Sequence, residues 1–318
     1  MYAPVMLFTY SRPEHTRRVL EALADNSLAQ ETDVYAYTCK PKNEDHEAKV
    51  NATKDVLETY RNRNCFKSFT IVDKPEFRPL GPAMAEAVTE VIEKYGRIIV
   101  IEDDIVTSPH YLEFMNRCLE HYECSKNVFS ISGYSPDLDY LSKIREDVYI
   151  VHRACPWGWG TWKDRWTNYD WNVPEYRNSM MDRNLRKKLY RWNTDLPMTL
   201  DALFYEKGCK DKNWEQQFCF YQCISDMGTI CPKKSLVENI GFDGSGTHEV
   251  PVGLGNTFDP DADLWNLTDL KIDEELQNRY NRMFVFRRKT RFLLSITNIL
   301  FMISPKLYYR LLKAYYNS

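Results

Sequence analysis

The sequence lacks the patterns that mark several common protein classes. Its nine cysteines are an odd number in 318 residues, and they form no Cys-x-x-Cys motif and no Cys/His pair at zinc-finger spacing. This pattern favours reduced, mostly buried thiols in a cytosolic protein over a zinc module or a disulfide framework. A formal net charge of −3 gives no reason to expect a nucleic-acid partner. The chain also has no internal repeat and no low-complexity segment.

Long apolar runs are missing as well. The N-terminus leads directly into a short apolar stretch at residues 4–9, without the basic and apolar regions of a signal peptide. We therefore expect no signal peptide and no N-terminal membrane anchor, and a bacterial cytoplasmic setting fits better. Near the C-terminus, the apolar residues 292–303 are fewer than the roughly 20 that span a bilayer.

Aromatic residues, in contrast, are abundant at 14% of the chain, and apolar residues reach 43%. A chain of this size and composition can bury a core for one large α/β domain with an extension, or for two modest domains. Aromatic rings also suit the C–H face of a sugar, although core packing explains most of them.

Strand-like and helix-like segments alternate in the first third of the sequence. Apolar strands are predicted at residues 4–9, 33–38, 69–72 and 98–101, with helices between them that include residues 44–62 and 82–95. Such alternation is typical of an α/β protein whose parallel sheet carries helices on both faces. Further along we predict a helix at 109–124, a strand at 128–132, helices at 180–208 and 214–226, and a loop at 239–263.

Three consecutive acids, Glu102, Asp103 and Asp104, follow the most apolar of these strands. Unpaired carboxylates are too costly to bury in a core, so we expect them at the carboxyl end of the strand, where open parallel sheets bind ligands. Clustered carboxylates attract a hard cation such as Mg²⁺ or Mn²⁺. From these residues alone, a metal site and an acidic cap of the next helix remain equally good interpretations.

Two runs of residues give the sequence a family resemblance. The first is Thr-Tyr-Ser-Arg-Pro-Glu-His-Thr at residues 9–16, and the second is Ile-Glu-Asp-Asp-Ile-Val-Thr-Ser-Pro at residues 101–109. Together they resemble bacterial glycosyltransferases of the GT-A type, with a Rossmann-like sheet, and the nearest branch is similar to N-acetylglucosaminyltransferase I. The resemblance implies that the triplet replaces the Asp-x-Asp motif, with Asp104 on Mn²⁺ or Mg²⁺ and with Glu102 and Asp103 near the ribose and the donor sugar.

The resemblance also implies donor contacts outside the triplet. Arg12 would lie near the nucleotide diphosphate or base, as a guanidinium beside a helix N-terminus suits an anion. Arg78 and Gly81 belong to the segment that passes over the nucleotide in relatives. Where relatives often carry an Asp that reads uracil, this chain has Cys39, which weakens the expectation of a UDP-linked donor.

The segment at residues 155–166 is unusually rich in Trp and Gly. A related run occurs in the bacterial transferases, and we expect Trp157, Gly158 and Trp159 to border the donor sugar and the acceptor cleft. Trp162 and Trp166 are spaced one turn apart, which favours core packing in a helix.

An acid that follows an aromatic residue is the best source of a catalytic base. Glu215, after Trp214, matches that position in the resembled family, and an inverting transfer needs a carboxylate to take the acceptor's proton. Charge stabilisation of a helix N-terminus is the alternative role. His248 ends a Gly-rich polar loop and could reach the diphosphate or the metal, or simply lie on the surface.

The tail of the chain differs in kind from the rest. Residues 284–316 combine an apolar centre with flanking basic residues and several tyrosines. This mixture suits an amphipathic helix in an anionic membrane surface, or a helix packed on the domain or on another subunit.

Together these features predict a GT-A domain over residues 1–270, with a nucleotide half at 1–108 and an acceptor half at 109–270, and a helical tail at 271–318. The predicted function is inverting, metal-dependent transfer from a nucleotide sugar such as UDP-GlcNAc to a glycan or lipid-linked acceptor in surface polysaccharide assembly. The location would be cytoplasmic, with possible attachment to the inner face of the membrane. A sugar nucleotidyltransferase is the first alternative, although residues 9–16 lack the glycines that would grip a triphosphate. A non-catalytic sugar-binding protein on the same scaffold is the second.

Overall fold

A computed structural model describes residues 1–205, 214–244, 258–262, 265–285 and 288–317. These residues form an eight-stranded mixed sheet, a two-stranded ribbon, flanking helices and a C-terminal pair of helices. The predicted α/β class, with a mostly parallel sheet and a C-terminal helical extension, is confirmed.

The described strands are β1 (Val5–Phe8), β2 (Asp33–Cys39), β3 (Ser68–Lys74), β4 (Arg97–Glu102), β5 (Ile105–Thr107), β6 (Val128–Ser132), β7 (Val148–Val151), β8 (Trp159–Trp162), β9 (Gly228–Pro232) and β10 (Val237–Asn239). The described α-helices are α1 (Pro13–Ala24), α2 (Glu44–Arg63), α3 (Leu80–Tyr95), α4 (Tyr111–His121), α5 (Pro174–Ser179), α6 (Arg183–Trp192), α7 (Leu196–Tyr205), α8 (Trp214–Ile224), α9 (Glu274–Phe284), α10 (Arg288–Ile303) and α11 (Pro305–Asn317).

The large sheet has the order β3-β2-β1-β4-β8-β6-β9-β7. β1 to β4 are mutually parallel, and β6 and β9 share their direction, whereas β7 and β8 run the opposite way. β4 lies inside the sheet, and its apolar residues from Ile98 to Ile101 are fully buried. A β-branched run is therefore found where both faces of a strand are covered.

Alternate side chains of β1 enter two separate hydrophobic cores. Val5 and Leu7 pack in the core that contains α1 and α4, whereas Met6 and Phe8 pack in the core that contains α3 and α8. This follows from the period of two in an extended strand, and it shows that helices cover both faces of the sheet.

The Trp-Gly segment forms a strand instead of the predicted helix. Trp162 is the last residue of β8, which is antiparallel to both β4 and β6, and Trp166 follows a short 3₁₀ turn. The expectation that these two residues lie one helical turn apart is therefore wrong, although both are buried core residues as predicted. β8 lies between β4 and β6 and pairs with both, and the spacing of residues in the sequence does not predict this pairing.

Two predicted helical regions are each divided into two helices. The helix expected at 180–208 breaks between α6 and α7, where Asn193 adopts an extended conformation and Pro197 lies in the first turn of the next helix. The tail likewise divides at Ser304 and Pro305 into α10 and α11.

The apolar residues just after position 264 pack against the core that contains α1 and α4. The Trp265 ring packs edge-on against Phe114 of α4, and the Tyr122 hydroxyl donates a hydrogen bond to the Thr268 carbonyl. The boundaries expected at residues 108 and 270 stay predictions. Among the helices described, none has the length and hydropathy that crossing a membrane requires.

Candidate functional site

The carboxyl ends of β1 and β4 meet at one edge of the sheet. Their register pairs Phe8 with Glu102, so the residues that follow each strand leave the sheet side by side. Arg12 therefore comes next to the acidic triplet, although about ninety residues separate them in sequence. This edge is where open parallel sheets bind ligands.

Arg12 bridges the second and third acids. One of its terminal nitrogens forms an ion pair with Asp103 and lies 2.9 Å from Oδ2 of Asp104. The Tyr10 backbone N–H also donates a 3.4 Å hydrogen bond to Asp103. Asp103 is nearly buried, and Asp104 is more accessible, with 15% of its side chain exposed. Asp104 is thus the more open carboxylate, as its predicted role requires.

The first acid of the triplet is in a strongly unfavourable environment for charge. Burial raises the pKa of Glu102 well above its ordinary value, and repulsion by Asp104, Asp103 and Glu215 raises it further. Burial also raises the pKa of Asp103, although the charge of Arg12 opposes this shift. One guanidinium therefore faces several carboxyl groups, and an additional positive charge would stabilise their ionised forms.

The small ribbon brings a distant loop to Asp104. β5 pairs with β10, which places Asn239 opposite Ile105, and the Ile240 N–H donates a 2.9 Å hydrogen bond to the Asp104 carbonyl. The next residue, Gly241, lies so close that a β-carbon there would overlap the Asp104 carboxylate. A larger residue at position 241 would therefore displace the Asp104 carboxylate from its present position.

An aromatic wall stands beside this loop. Trp157 packs edge-on against Tyr134, with ring centroids 4.5 Å apart, and against Phe242, at 5.5 Å. Gly158 has φ = 62°, and a β-carbon there would crowd the Tyr111 hydroxyl and Val237, each at 3.0 Å. The partly exposed Trp157 is thus held next to the loop that reaches Asp104, a position compatible with a sugar contact.

Trp159 has a different environment from Trp157. Its side chain is 2% exposed and packs against Trp166, Trp214 and Phe218. A ring covered in this way presents no free face to a sugar, so the expected donor contact at Trp159 is corrected to a core-packing role. Residues two apart in one strand would share a face, but Trp157 precedes β8, and the left-handed conformation of Gly158 between the two rings places them in different cores.

Glu215 lies in the first turn of α8 and is partly exposed. Its carboxylate accepts a 2.7 Å hydrogen bond from the Gln216 side chain. The charge of Glu215 contributes to the raised pKa of Glu102, so the two carboxyl groups are near enough to repel each other. The neighbouring Arg153 pairs with Asp195 at 2.7 Å, and the charge of Glu215 also acts on it. The structure thus brings the predicted base to the same region as the predicted metal ligand.

Sequence reasoning missed an aromatic cluster around Tyr10, whose backbone contacts Asp103. The Tyr10 ring lies 5.5 Å from Phe77 and 5.4 Å from His46, and its hydroxyl accepts a 2.8 Å hydrogen bond from the Lys42 N–H. Nδ1 of His46 is buried without a partner among the described residues. The position of Tyr10, two residues before Arg12, was the one available signal in the sequence.

Arg78 and Gly81 follow Phe77 of this cluster in the sequence, but their described contacts are with other residues. The Arg78 side chain forms an ion pair with Glu86 of α3, and its backbone is next to the Cys39 thiol. Gly81 lies in the first turn of α3 and is buried. Cys39 itself is the last residue of β2 and is 3% exposed, so its side chain offers a ligand little surface.

The side chains present fit a cation that is held partly by the protein and partly by the bound substrate. Among the described residues, no three His, Cys, Asp or Glu side chains converge into a cation site. One accessible carboxylate, Asp104, suits Mg²⁺ or Mn²⁺ when substrate phosphates and water complete the shell, which is the usual arrangement for Mg²⁺. The acidic excess around Arg12 agrees with this arrangement. His248, the other residue predicted to reach the metal or diphosphate, lies outside the described residues.

Comparisons with known proteins show only distant similarity. No protein-family model and no curated protein matches the sequence. A crystal structure of S. aureus TarS residues 1–349 is 12% identical, with a TM-score of 0.42, and the match covers 74% of this chain and 60% of that one. This chain therefore spans less than two thirds of that structure.

Two further solved structures overlap with the chain. A UDP-glucose pyrophosphorylase complexed with UDP-glucose is 12% identical, with a TM-score of 0.36 and coverage of 72% of this chain and 90% of that one. HddC from Yersinia pseudotuberculosis is 13% identical, with a TM-score of 0.33 and coverage of 53% and 80%. Overlaps of this size carry no information on ligand or reaction.

Proposed function

We propose that this chain is a metal-dependent, inverting glycosyltransferase of the GT-A type that uses a nucleotide sugar. The observation that carries the proposal is the pairing of Arg12 with Asp103 and Asp104 at the carboxyl edge of the sheet, in a triplet whose Glu102 also feels the charge of Glu215. Such a transfer can use a carboxylate that binds the cation, a positive charge beside the donor diphosphate and a general base. Asp104, Arg12 and Glu215 are the candidates for these three roles.

The proposed roles follow the layout of the site. Asp104 would hold Mn²⁺ or Mg²⁺, which neutralises a diphosphate and stabilises it as a leaving group when bound. Arg12 orients Asp103 and Asp104 and adds positive charge beside the diphosphate. The rings of Tyr10 and Phe77 would contact the base of the nucleotide, and Trp157 with Phe242 would border the transferred sugar.

Glu215 would accept the proton of the acceptor hydroxyl as that oxygen attacks the anomeric carbon. The glycosidic bond to the phosphate breaks as the new bond forms, which inverts the configuration. We propose UDP-GlcNAc or a related donor and a glycan or lipid-linked acceptor in surface polysaccharide assembly. The similarity to the N-acetylglucosaminyltransferase I branch stays a prediction. Cys39 stands where relatives often carry the acid that reads uracil, which weakens the expectation of a UDP-linked donor.

A thermal-shift screen of nucleotides and nucleotide sugars with Mn²⁺ tests the proposal. We expect at least one nucleoside diphosphate sugar to raise Tm in the wild type, and the shift to disappear in chelator and in Asp104→Asn. Donor hydrolysis or transfer should require the same metal. Full activity in chelator or in Asp104→Asn would contradict the metal role. Pyrophosphate release from a nucleoside triphosphate would instead identify a nucleotidyltransferase, and binding without turnover would support a non-catalytic protein.

A further inference from the structure

The hairpin of α10 and α11 has one face fixed to the rest of the protein. Phe301 is fully buried, and Tyr308 and Tyr309 are nearly so. These three rings pack edge-on against one another, and the Tyr309 hydroxyl lies 3.1 Å from the Met180 carbonyl oxygen.

A buried carboxylate fixes this inner face. Asp201 of α7 is fully buried and accepts hydrogen bonds from Tyr308 at 2.7 Å, Tyr309 at 2.8 Å and Tyr176 at 2.7 Å. Arg186 of α6 pairs with the same carboxylate at 2.6 Å and lies over the rings of Phe301 and Tyr308. The hairpin is therefore held in a defined orientation, and its outer face is defined as well.

The outer face of α10 is an exposed apolar strip. Phe292, Ile296, Ile299 and Ile303 follow one another at intervals of four, three and four residues, which places them on one side of a helix. Their exposed fractions are 66%, 44%, 57% and 72%. Four large apolar side chains in one row exceed what isolated surface exposure explains.

The second helix continues this pattern. Leu307, Leu311 and Tyr315 of α11 recur every four residues and are 45%, 51% and 73% exposed. Arg310 and Lys313 are exposed beside this strip. An apolar strip flanked by cations is typical of a helix that lies in the plane of a membrane surface.

The charge of the hairpin decides which surface it fits. Residues 285–318 contain seven Lys and Arg and no Asp or Glu, although the whole chain has a net charge of −3. A cationic segment on an otherwise acidic protein selects an anionic partner, and its apolar strips require that partner to have an apolar interior. A bilayer with anionic lipid offers both.

We propose that the hairpin of α10 and α11 docks the protein on an anionic membrane surface, with Phe292, Ile299 and their row inserted among the lipids. The Asp201 cluster holds the hairpin against the domain, so docking fixes the orientation of the whole molecule relative to the bilayer. The proposal does not depend on the transfer reaction, because it concerns a surface that shares no residue with the candidate site.

Vesicle sedimentation with the full chain tests this proposal. We expect binding to vesicles of phosphatidylcholine mixed with phosphatidylglycerol and little binding to phosphatidylcholine alone, with weaker binding at high salt. The double variant Phe292→Gln/Ile299→Gln should reduce the partition coefficient by at least about tenfold, because it removes two inserted side chains. Arg310→Gln/Lys313→Gln should reduce the preference for anionic lipid.

Tyr2→Gln is the matched control, because Tyr2 is an exposed aromatic residue outside the hairpin, and its binding should equal that of the wild type. Circular dichroism should show unchanged helicity in every variant. Wild-type levels of binding by Phe292→Gln/Ile299→Gln would overturn the proposal. So would an absence of wild-type binding to both vesicles, or a dimer in light scattering that the same variant dissociates without any vesicle binding.

Discussion

At the scale of single residues, the site depends on an imbalance of charge. Arg12 contacts Asp103 and Asp104, and burial and repulsion still raise the pKa of Glu102. A local cluster of like charges is stable in a fold only when the surroundings neutralise it. In the proposed enzyme, the donor's metal would supply this neutralisation, which couples cation binding to donor binding.

The proposed base gives a prediction at this scale. Glu215→Gln should lower kcat by about 10²- to 10⁴-fold, because an amide cannot accept the acceptor's proton, while donor affinity changes little. Steady-state kinetics and a donor thermal shift measure the two effects separately. Glu120→Gln, which removes an exposed acid of α4, is the control and should keep full activity. A Glu215→Gln enzyme with unchanged kcat would remove Glu215 from the mechanism.

Individual residues also show where sequence reasoning succeeds. The triplet is local: an apolar run followed by acids must leave the core at the end of the strand, so its position could be predicted. The different environments of Trp157 and Trp159 could not, because they depend on the left-handed conformation of Gly158 just before β8, which places the two rings in different cores.

At the scale of elements, the sheet and the tail hairpin are joined to the molecule differently. β8 is inserted between β4 and β6 by backbone pairing, whereas the hairpin is held mainly by side chains around Asp201. The attachment of β8 depends on strand register. The attachment of the hairpin depends on a few buried polar groups, each of which needs its hydrogen-bond partner.

The Asp201 cluster therefore predicts a large effect of one substitution. Asp201→Ala should destabilise the protein by about 3–5 kcal/mol, because it leaves the buried Arg186 without its counter-ion. Urea unfolding measures this change. The control Glu275→Ala removes only a surface pair with Arg279 and should cost less than about 1 kcal/mol. Equal stability of Asp201→Ala and wild type would show that the hairpin is held by other contacts.

At the scale of the whole molecule, a histidine links the late strands to the helices beside them. The His152 ring follows β7 and stacks on Trp192 of α6, with centroids 3.4 Å apart. Burial lowers its pKa to about 4, and the positive charges of Arg191 and Lys188 act in the same direction, while Asp226 opposes them. The folded protein thus favours the neutral ring.

This shift predicts a pH dependence of global stability. The unfolded chain binds a proton at His152 near pH 6.5, and the folded protein binds it only near pH 4, so stability falls as pH decreases between these values. We expect a loss of about 2 kcal/mol, somewhat less than the full shift would give because the ring is partly exposed. Denaturation at pH 7 and pH 5 should show roughly half of this loss, because it is complete only below the folded pKa of about 4, and His152→Gln should reduce it. An identical pH dependence in that variant would assign the effect to other groups.

The sequence by itself determined the features that depend on near neighbours. Strand and helix alternation, the acidic triplet at the end of β4 and the amphipathic tail all follow from periodicity and from the cost of burying charge. Only the tertiary structure decided the contacts between distant segments: Arg12 with Asp104, Gly241 beside that carboxylate, the aromatic cluster at Tyr10, and Asp201 under the hairpin. Such contacts depend on strand order and register, and the spacing of residues along the chain carries no record of either.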